Sequence, residues 1–145
     1  MTIIRATVND AAIVAPLFEA YRQWYGKTGD LAAAIQFLTE RLQHAESVIF
    51  LAMHEDQAIG FTQLYPVFSS VSMRREWILN DLFIDENIRN SGAGSALLNA
   101  AKDFVRTQNA KGILLETAPD NAHAQHLYEK MDWQKADNSY YYWTA

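Results

Sequence analysis

Residues 89–101 read RNSGAGSALLNAA. An arginine, two glycines one residue apart and two serines run directly into a block of good helix formers. Glycine inside a helix costs roughly 0.5–1 kcal/mol against alanine, so two at a helix start mark backbone that something must approach closely. The first helical turn exposes N–H groups with no intrahelical partner, and the helix dipole adds positive character there. Such a turn suits an anion, most often phosphate. Ser91 and Ser95 can donate hydroxyls to it, and Arg89 can supply a bidentate charge. The plainer alternative is that Gly92 only relieves crowding in a tight strand-to-helix turn. Two familiar phosphate loops do not fit. A dinucleotide fingerprint needs a third glycine where Leu97 stands, and a P-loop needs a lysine long before Lys102.

Outward from this turn, REWILNDLFID (75–85) reads as the preceding strand and the helix runs to about Gln108. GILLETA (112–118) is a short apolar strand of the buried kind. Asp120 or Asn121 caps a helix AHAQHLYEKM, and WQKAD and SYYYWT read as two last strands. Towards the N-terminus, SVIFLAMH (47–54) and AIGFTQLY (58–65) form a hairpin whose second strand ends at Pro66, with 67–75 as a longer connection. TIIRATV (2–8) is a first strand. A helix over 10–25 follows, with Pro16 inside its apolar pattern predicting a kink or a late start there, and then one capped by Asp30 with Leu31, Ile35, Leu38 and Leu42 as its stripe. The predicted order is β-α-α-β-β-β-α-β-α-β-β. That is an α/β (α+β) chain with a mixed, mostly antiparallel sheet and helices on both faces.

The 145 residues favour one domain over 1–145, since no repeat or linker interrupts them. Seventeen acidic against twelve basic residues give a formal charge of −5, which argues against a nucleic-acid partner and suits a cationic small molecule. There is no cysteine, which excludes disulfides, thiolate metal sites and a thiol nucleophile. No apolar run approaches the ~20 residues of a membrane span, and the start lacks a signal-peptide core, so no membrane partner and a cytoplasmic location are expected.

R-N-S-G-A-G resembles the R/Q-x-x-G-x-G/A signature of the GNAT superfamily of N-acetyltransferases. ILNDLFID is similar to that family's fourth strand. ETAPDNAHAQHLYEKMDW is similar to its N-x-x-A-x-x-L-Y-x-x-x-G-F block, with Asn121, Ala124, Leu127 and Tyr128 in register. The resemblance implies the GNAT acyltransferase fold and acetyl-CoA as acyl donor, without a metal. The pantetheine arm would lie between splayed fourth and fifth strands against Leu82, Phe83 and Ile84. The pyrophosphate would rest on the backbone from Arg89 and Asn90 through Ser91, Gly92, Ala93, Gly94 and Ser95. Asn121 and Ala124 would flank the other side of the arm.

The implied chemistry is attack of a free amine on the thioester in a ternary complex. Tyr128 matches the family's tyrosine that protonates the departing thiolate, and backbone N–H groups near Leu82 would hold the oxyanion. Some relatives carry a glutamate where this chain has Asn80, which cannot act as a base; Asp81, Glu116 or ordered water are the remaining candidates. Asn80 and Asp81 point to opposite faces of an alternating strand and share one cleft only if a bulge intervenes. Asp132-Trp133 replaces the usual Gly-Phe, and aspartate tolerates the positive φ expected there. The acceptor, a polyamine, an amino-acid-like amine or a protein amine, would meet Tyr25, Phe68, Trp77, Asn80 and Glu116, with Tyr21 and Trp24 as further aromatics. Core packing is the competing role for each aromatic. His123 and His126 lie one helical turn apart, with no third ligand evident. SYYYWT either closes the sheet or pairs with another chain, and the resemblance implies a homodimer. A non-catalytic acyl-CoA sensor is the alternative to an enzyme.

Overall fold

The computed structural model describes residues 1–88 and 90–145. Strand β1 (Thr2–Arg5) leads through a short 3-10 turn into α1 (Ala11–Trp24) and α2 (Leu31–Gln43). Then come β2 (Val48–His54), β3 (Gln57–Ser69) and β4 (Arg74–Ile84), followed by α3 (Ala93–Thr107), β5 (Ile113–Leu115) and α4 (Ala122–Lys130). The sheet order is β1-β2-β3-β4-β5, antiparallel except for the parallel pair β4·β5.

Strand β2 shows why the sheet is covered on both sides. Ile49 and Leu51 pack with Val14, Phe18, Leu38 and Phe61 beneath α1 and α2. The alternate residues Val48, Phe50 and Ala52 pack with Leu97, Leu98 and Ala101 of α3. A period of two with both faces apolar gives a continuous hydrophobic run. As expected, Asp30 caps α2, its carboxylate accepting the Ala33 N–H at 3.1 Å. Helix α1 continues through Pro16.

Two expectations are corrected. Pro66 does not end the second hairpin strand: β3 runs on to Ser69 and pairs with β4 as far as Arg74. Pairing with β2 stops at Leu64, so Pro66 lies on an edge where a missing N–H is tolerated. WQKAD and SYYYWT form no strands. Tyr140 to Trp143 are 77–92 % exposed and pair with no strand of the sheet, and β propensity alone does not make a strand.

The pairing of β3 with β4 contains the feature that organises the site. Gln63 faces Asp81, but the next residue, Leu64, faces Leu79, leaving Asn80 as the extra residue of a bulge. The alternation of β4 switches there: Trp77 and Leu79 before it, and Leu82 and Ile84 after it, all pack in the α3-side core.

Candidate active site

Strand β4 leaves its neighbour at this bulge. Trp77, Ile78 and Leu79 pair with Ile113, Leu114 and Leu115, and the β4·β5 ladder ends there. From Asp81 to Ile84, strand β4 is paired to β3 only, so its other edge faces an open gap. Leu82, Phe83 and Ile84 therefore lie where an extended ligand can take up backbone hydrogen bonds. Glu116 stands exposed one residue beyond Leu115, across that gap.

The glycine turn closes one end of the gap. Asn90 has φ +66° and Gly92 φ +82°, and Gly92 is the N-cap residue of α3 without a side-chain cap. Left-handed residues in a turn of this kind make anion-binding concavities. A Cβ built on Gly92 would meet nothing within 4 Å, so the glycine does not relieve crowding inside the chain. Its left-handed backbone conformation is what favours the missing side chain. A Cβ on Gly94 would make an ordinary 3.5 Å contact with Leu127, placing α4 against the same turn. Ser91 Oγ accepts the Ala93 N–H at 3.4 Å, while Ala93 itself is buried in the core and Ser95 is half-buried. Arg89 lies outside the described residues.

Helix α4 borders the gap on its far side. Asn121 caps it, Oδ1 accepting the Ala124 N–H at 3.1 Å, so the side chain is first a helix cap. His123 and His126 are exposed. Asp132 has φ +73°, the conformation expected of the glycine it replaces. Trp133 donates its indole N–H to Ile113 O at 3.2 Å and packs at 6.2 Å from Tyr128, anchoring α4 to β5. Burial, and secondarily Tyr25, hold the Tyr128 phenol above its ordinary pKa, so it carries its proton at neutral pH.

The bulge gathers polar groups under the open edge. Asp81 is only 3 % exposed. Gln63 Nε2 donates to Asp81 Oδ2 at 2.5 Å and Asn80 Nδ2 to Oδ1 at 3.0 Å. Tyr21 on α1 donates its hydroxyl to Asn80 O at 3.2 Å. Burial raises the Asp81 pKa, against the lowering effect of the donors Gln63, Asn80 and Tyr21. Tyr21 and Tyr65 are raised in turn, chiefly by burial and then by the Asp81 charge. Gln63 Oε1 is buried without a partner. The bulge thus supplies the condition under which Asn80 and Asp81 meet in one place.

Not all the predicted acceptor residues converge. Tyr25, 67 % exposed, stacks edge-on against Tyr21 at 5.1 Å, and Tyr21 lies 6.4 Å from Phe83, so part of an aromatic wall stands near Asn80. Trp77 does not belong to it. At 3 % exposure, edge-on to Phe104 at 5.0 Å, it is a core residue on the α3 side. Phe68 pairs with Arg75, five residues before Asn80 and so roughly 16 Å along the strand. A cavity of about 780 Å³ adjoins the wall and was not visible in the sequence. Its lining joins Trp24 and Phe83 to three carboxylates, Asp56, Asp85 and Glu86, with no lysine or arginine among the described lining residues. These acids lie in two separate turns, so no local pattern marks them.

Comparison with known proteins matches residues 14–133 to the model of the "Acetyltransferase (GNAT) family". The chain is 48 % identical over 135 residues to the uncharacterized N-acetyltransferase YhfO of Bacillus subtilis, covering 93 % of this chain and 91 % of that protein. A probable acetyltransferase of Haemophilus influenzae is 37 % identical over 119 residues, covering 81 % and 82 %. The crystal structure of a probable acetyltransferase superposes with a TM-score of 0.93 at 37 % identity, covering 100 % of this chain and 97 % of the other.

Proposed function

The chain belongs to the acetyltransferase (GNAT) family, and on that premise we propose that it moves the acetyl group of acetyl-CoA to a primary amine. The acceptor we favour is a small cationic one, a polyamine or an amino-acid-like amine, with a protein amine as the alternative. The observation that carries this reading is the parting of β4 from β5 at the Asn80 bulge. It leaves an unpaired strand edge running to the glycine turn, with Asp81 at the bulge and Tyr128 on the helix that follows β5. The open space at Gly92 fits a pyrophosphate against the turn. Acetyl-CoA supplies the activated acetyl group; the chain positions and moves protons.

In this reading the free N–H groups of β4 near Leu82 stabilise negative charge on the acetyl oxygen. Asp81 draws the amine proton through the hydroxyl of Tyr21, which lies between α1 and the bulge. Tyr128 protonates the leaving thiolate. An amine with a pKa of about 10.4 arrives charged, and the acidic cavity lined by Asp56, Asp85 and Glu86 attracts that cation and any second one along its chain. The exposed run 140–143 and the free edge of β5 support a homodimer formed by strand pairing between two copies. Sedimentation equilibrium should give twice the chain mass, falling to a monomer when residues 139–145 are deleted; a full-length monomer ends that part of the reading.

The activity is tested by following release of the CoA thiol over a panel of polyamines, amino-acid amides and lysine peptides. Turnover is expected with the multiply charged amines. Tight CoA binding with no turnover on any amine would defeat the proposal. Gly92→Asn examines the cradle separately. Asparagine tolerates a left-handed backbone, so the fold should hold while CoA affinity falls at least about tenfold, or 1.4 kcal/mol. Undiminished affinity in calorimetry would remove the pyrophosphate from this turn.

A further inference from the structure

A second cavity, of about 490 Å³, lies at the other end of the sheet, where β2 and β4 begin and α2 and α3 end. Helix α3 alone separates it from the glycine turn, and its fifteen residues put the two about 22 Å apart. The volume lies within the range of small-molecule sites. Ser47 and Trp77 line the cavity, and each carries a buried polar atom, Ser47 Oγ and Trp77 Nε1, without a hydrogen-bond partner among the described residues. Buried donors left unpaired are unfavourable and uncommon, and two lining one cavity point to an acceptor supplied from outside.

The charge around the cavity is of one sign. Arg5 and Arg75 line it, and among the described residues no carboxylate does. Each guanidinium lies over an aromatic ring, Arg5 at 4.9 Å from Phe104 and Arg75 at 5.5 Å from Trp77. Among the described residues neither forms an ion pair. The acids beside the lining residues are engaged elsewhere: Glu46 pairs with Arg41 at 3.2 Å, Glu76 lies 3.8 Å from Lys111, and Asp10 Oδ2 accepts the Thr7 N–H at 2.7 Å. The C-terminal ends of α2 and α3 adjoin the cavity and oppose an anion with about half a charge each. Two full positive charges outweigh them. In a chain of net charge −5, such a concentration of unneutralised arginine calls for a counter-charge.

We infer that this cavity, separate from the acetyl-transfer cleft, binds a small organic anion, a phosphate or a carboxylate, between Arg5 and Arg75 with Ser47 and Trp77 donating from its lining. Guanidinium pairs suit the two oxygens of either group. Because α3 and β4 each reach both sites, an occupant here holds the elements that frame the cleft.

The test is titration of the whole protein with inorganic phosphate and, separately, with succinate, against sodium chloride at equal ionic strength. The reporter is the Trp77 indole N–H resonance, assigned through Trp77→Phe. A saturable shift is expected for at least one probe, and the tighter of the two names the head group. The response should vanish in the double variant Arg5→Gln/Arg75→Gln, weaken in Ser47→Ala and persist in Gly92→Asn. At about a hundredfold excess over Kd, Tm should rise by about 5–10 °C in the wild type alone of these first two. An indole that does not move while the amides of Gly94 and Ser95 do would place the anion only in the cofactor cradle and overturn the inference. So would a response that survives loss of both arginines.

Discussion

Tyr128→Phe is expected to lower kcat by about 10²–10⁴-fold, the usual contribution of a positioned general acid, while CoA affinity and Tm stay nearly unchanged. The separation of effects follows from what the side chain touches. The ring packs 6.2 Å from Trp133 and joins the α3-side core, and phenylalanine keeps that surface. The hydroxyl has no hydrogen-bond partner among the described residues, so its removal orphans nothing in the fold. Its remaining role is chemical. A raised pKa keeps the phenol protonated at neutral pH, which also makes the transfer harder. A free thiol titrates near 8.5 and an ordinary phenol near 10, so the transfer is uphill, and burial of Tyr128 makes it more so. A thiolate forming in a gap with little water is itself destabilised, which raises its affinity for the proton and narrows the mismatch. The proton then moves as the carbon–sulfur bond breaks. Pre-steady-state acetyl transfer measures the step directly; a kcat unaltered while that step limits the rate would take Tyr128 out of the reaction.

The parts of this site that sequence revealed were those held in short continuous stretches. RNSGAG and NAHAQHLY each place several groups on one turn or one helix face, and local spacing fixes such geometry. Asp132 illustrates the same point, because a backbone requirement at one position was readable from the residue that meets it. What depended on register was not readable. Deleting one partner opposite Asn80 changes which residues of β4 face α1, and nothing in WILNDLFI marks the slip. Trp77 was assigned to the acceptor on residue type, whereas its place in the sheet buries it under α3. The acidic cavity joins α1, the β2–β3 turn and the turn after β4, so its charge emerges only when three distant segments meet. SYYYWT carries strand propensity but gains no partner from its own chain.

Asp81→Asn tests the other half of the proton path, and pH separates its chemistry from its structural cost. The amide matches the carboxylate in shape, and the unpartnered Gln63 Oε1 can accept its new N–H after a flip of the Gln63 amide. The fold should therefore accommodate it. Because burial raises the Asp81 pKa in the native state, that state binds this proton more readily than the unfolded chain, whose aspartate titrates near 3.9. The stability linked to the group is fully present below about 3.9 and is lost as pH rises through the native value. Above that native value the wild type carries a buried charge that the variant lacks. Urea melts above that pH should show Asp81→Asn at least as stable as wild type, with the difference shrinking towards acid. Activity should run the other way. Only ionised Asp81 draws a proton, so wild-type kcat/KM falls as pH drops through its raised pKa. The variant should lose that inflection together with about 10²-fold or more of the rate at pH 7. The deficit should narrow in alkali, as the acceptor loses its own proton near pH 10.4 and needs no base. A stable variant whose pH profile keeps the wild-type acid limb would show that another group accepts the proton, and Glu116, exposed across the gap, would be next to replace.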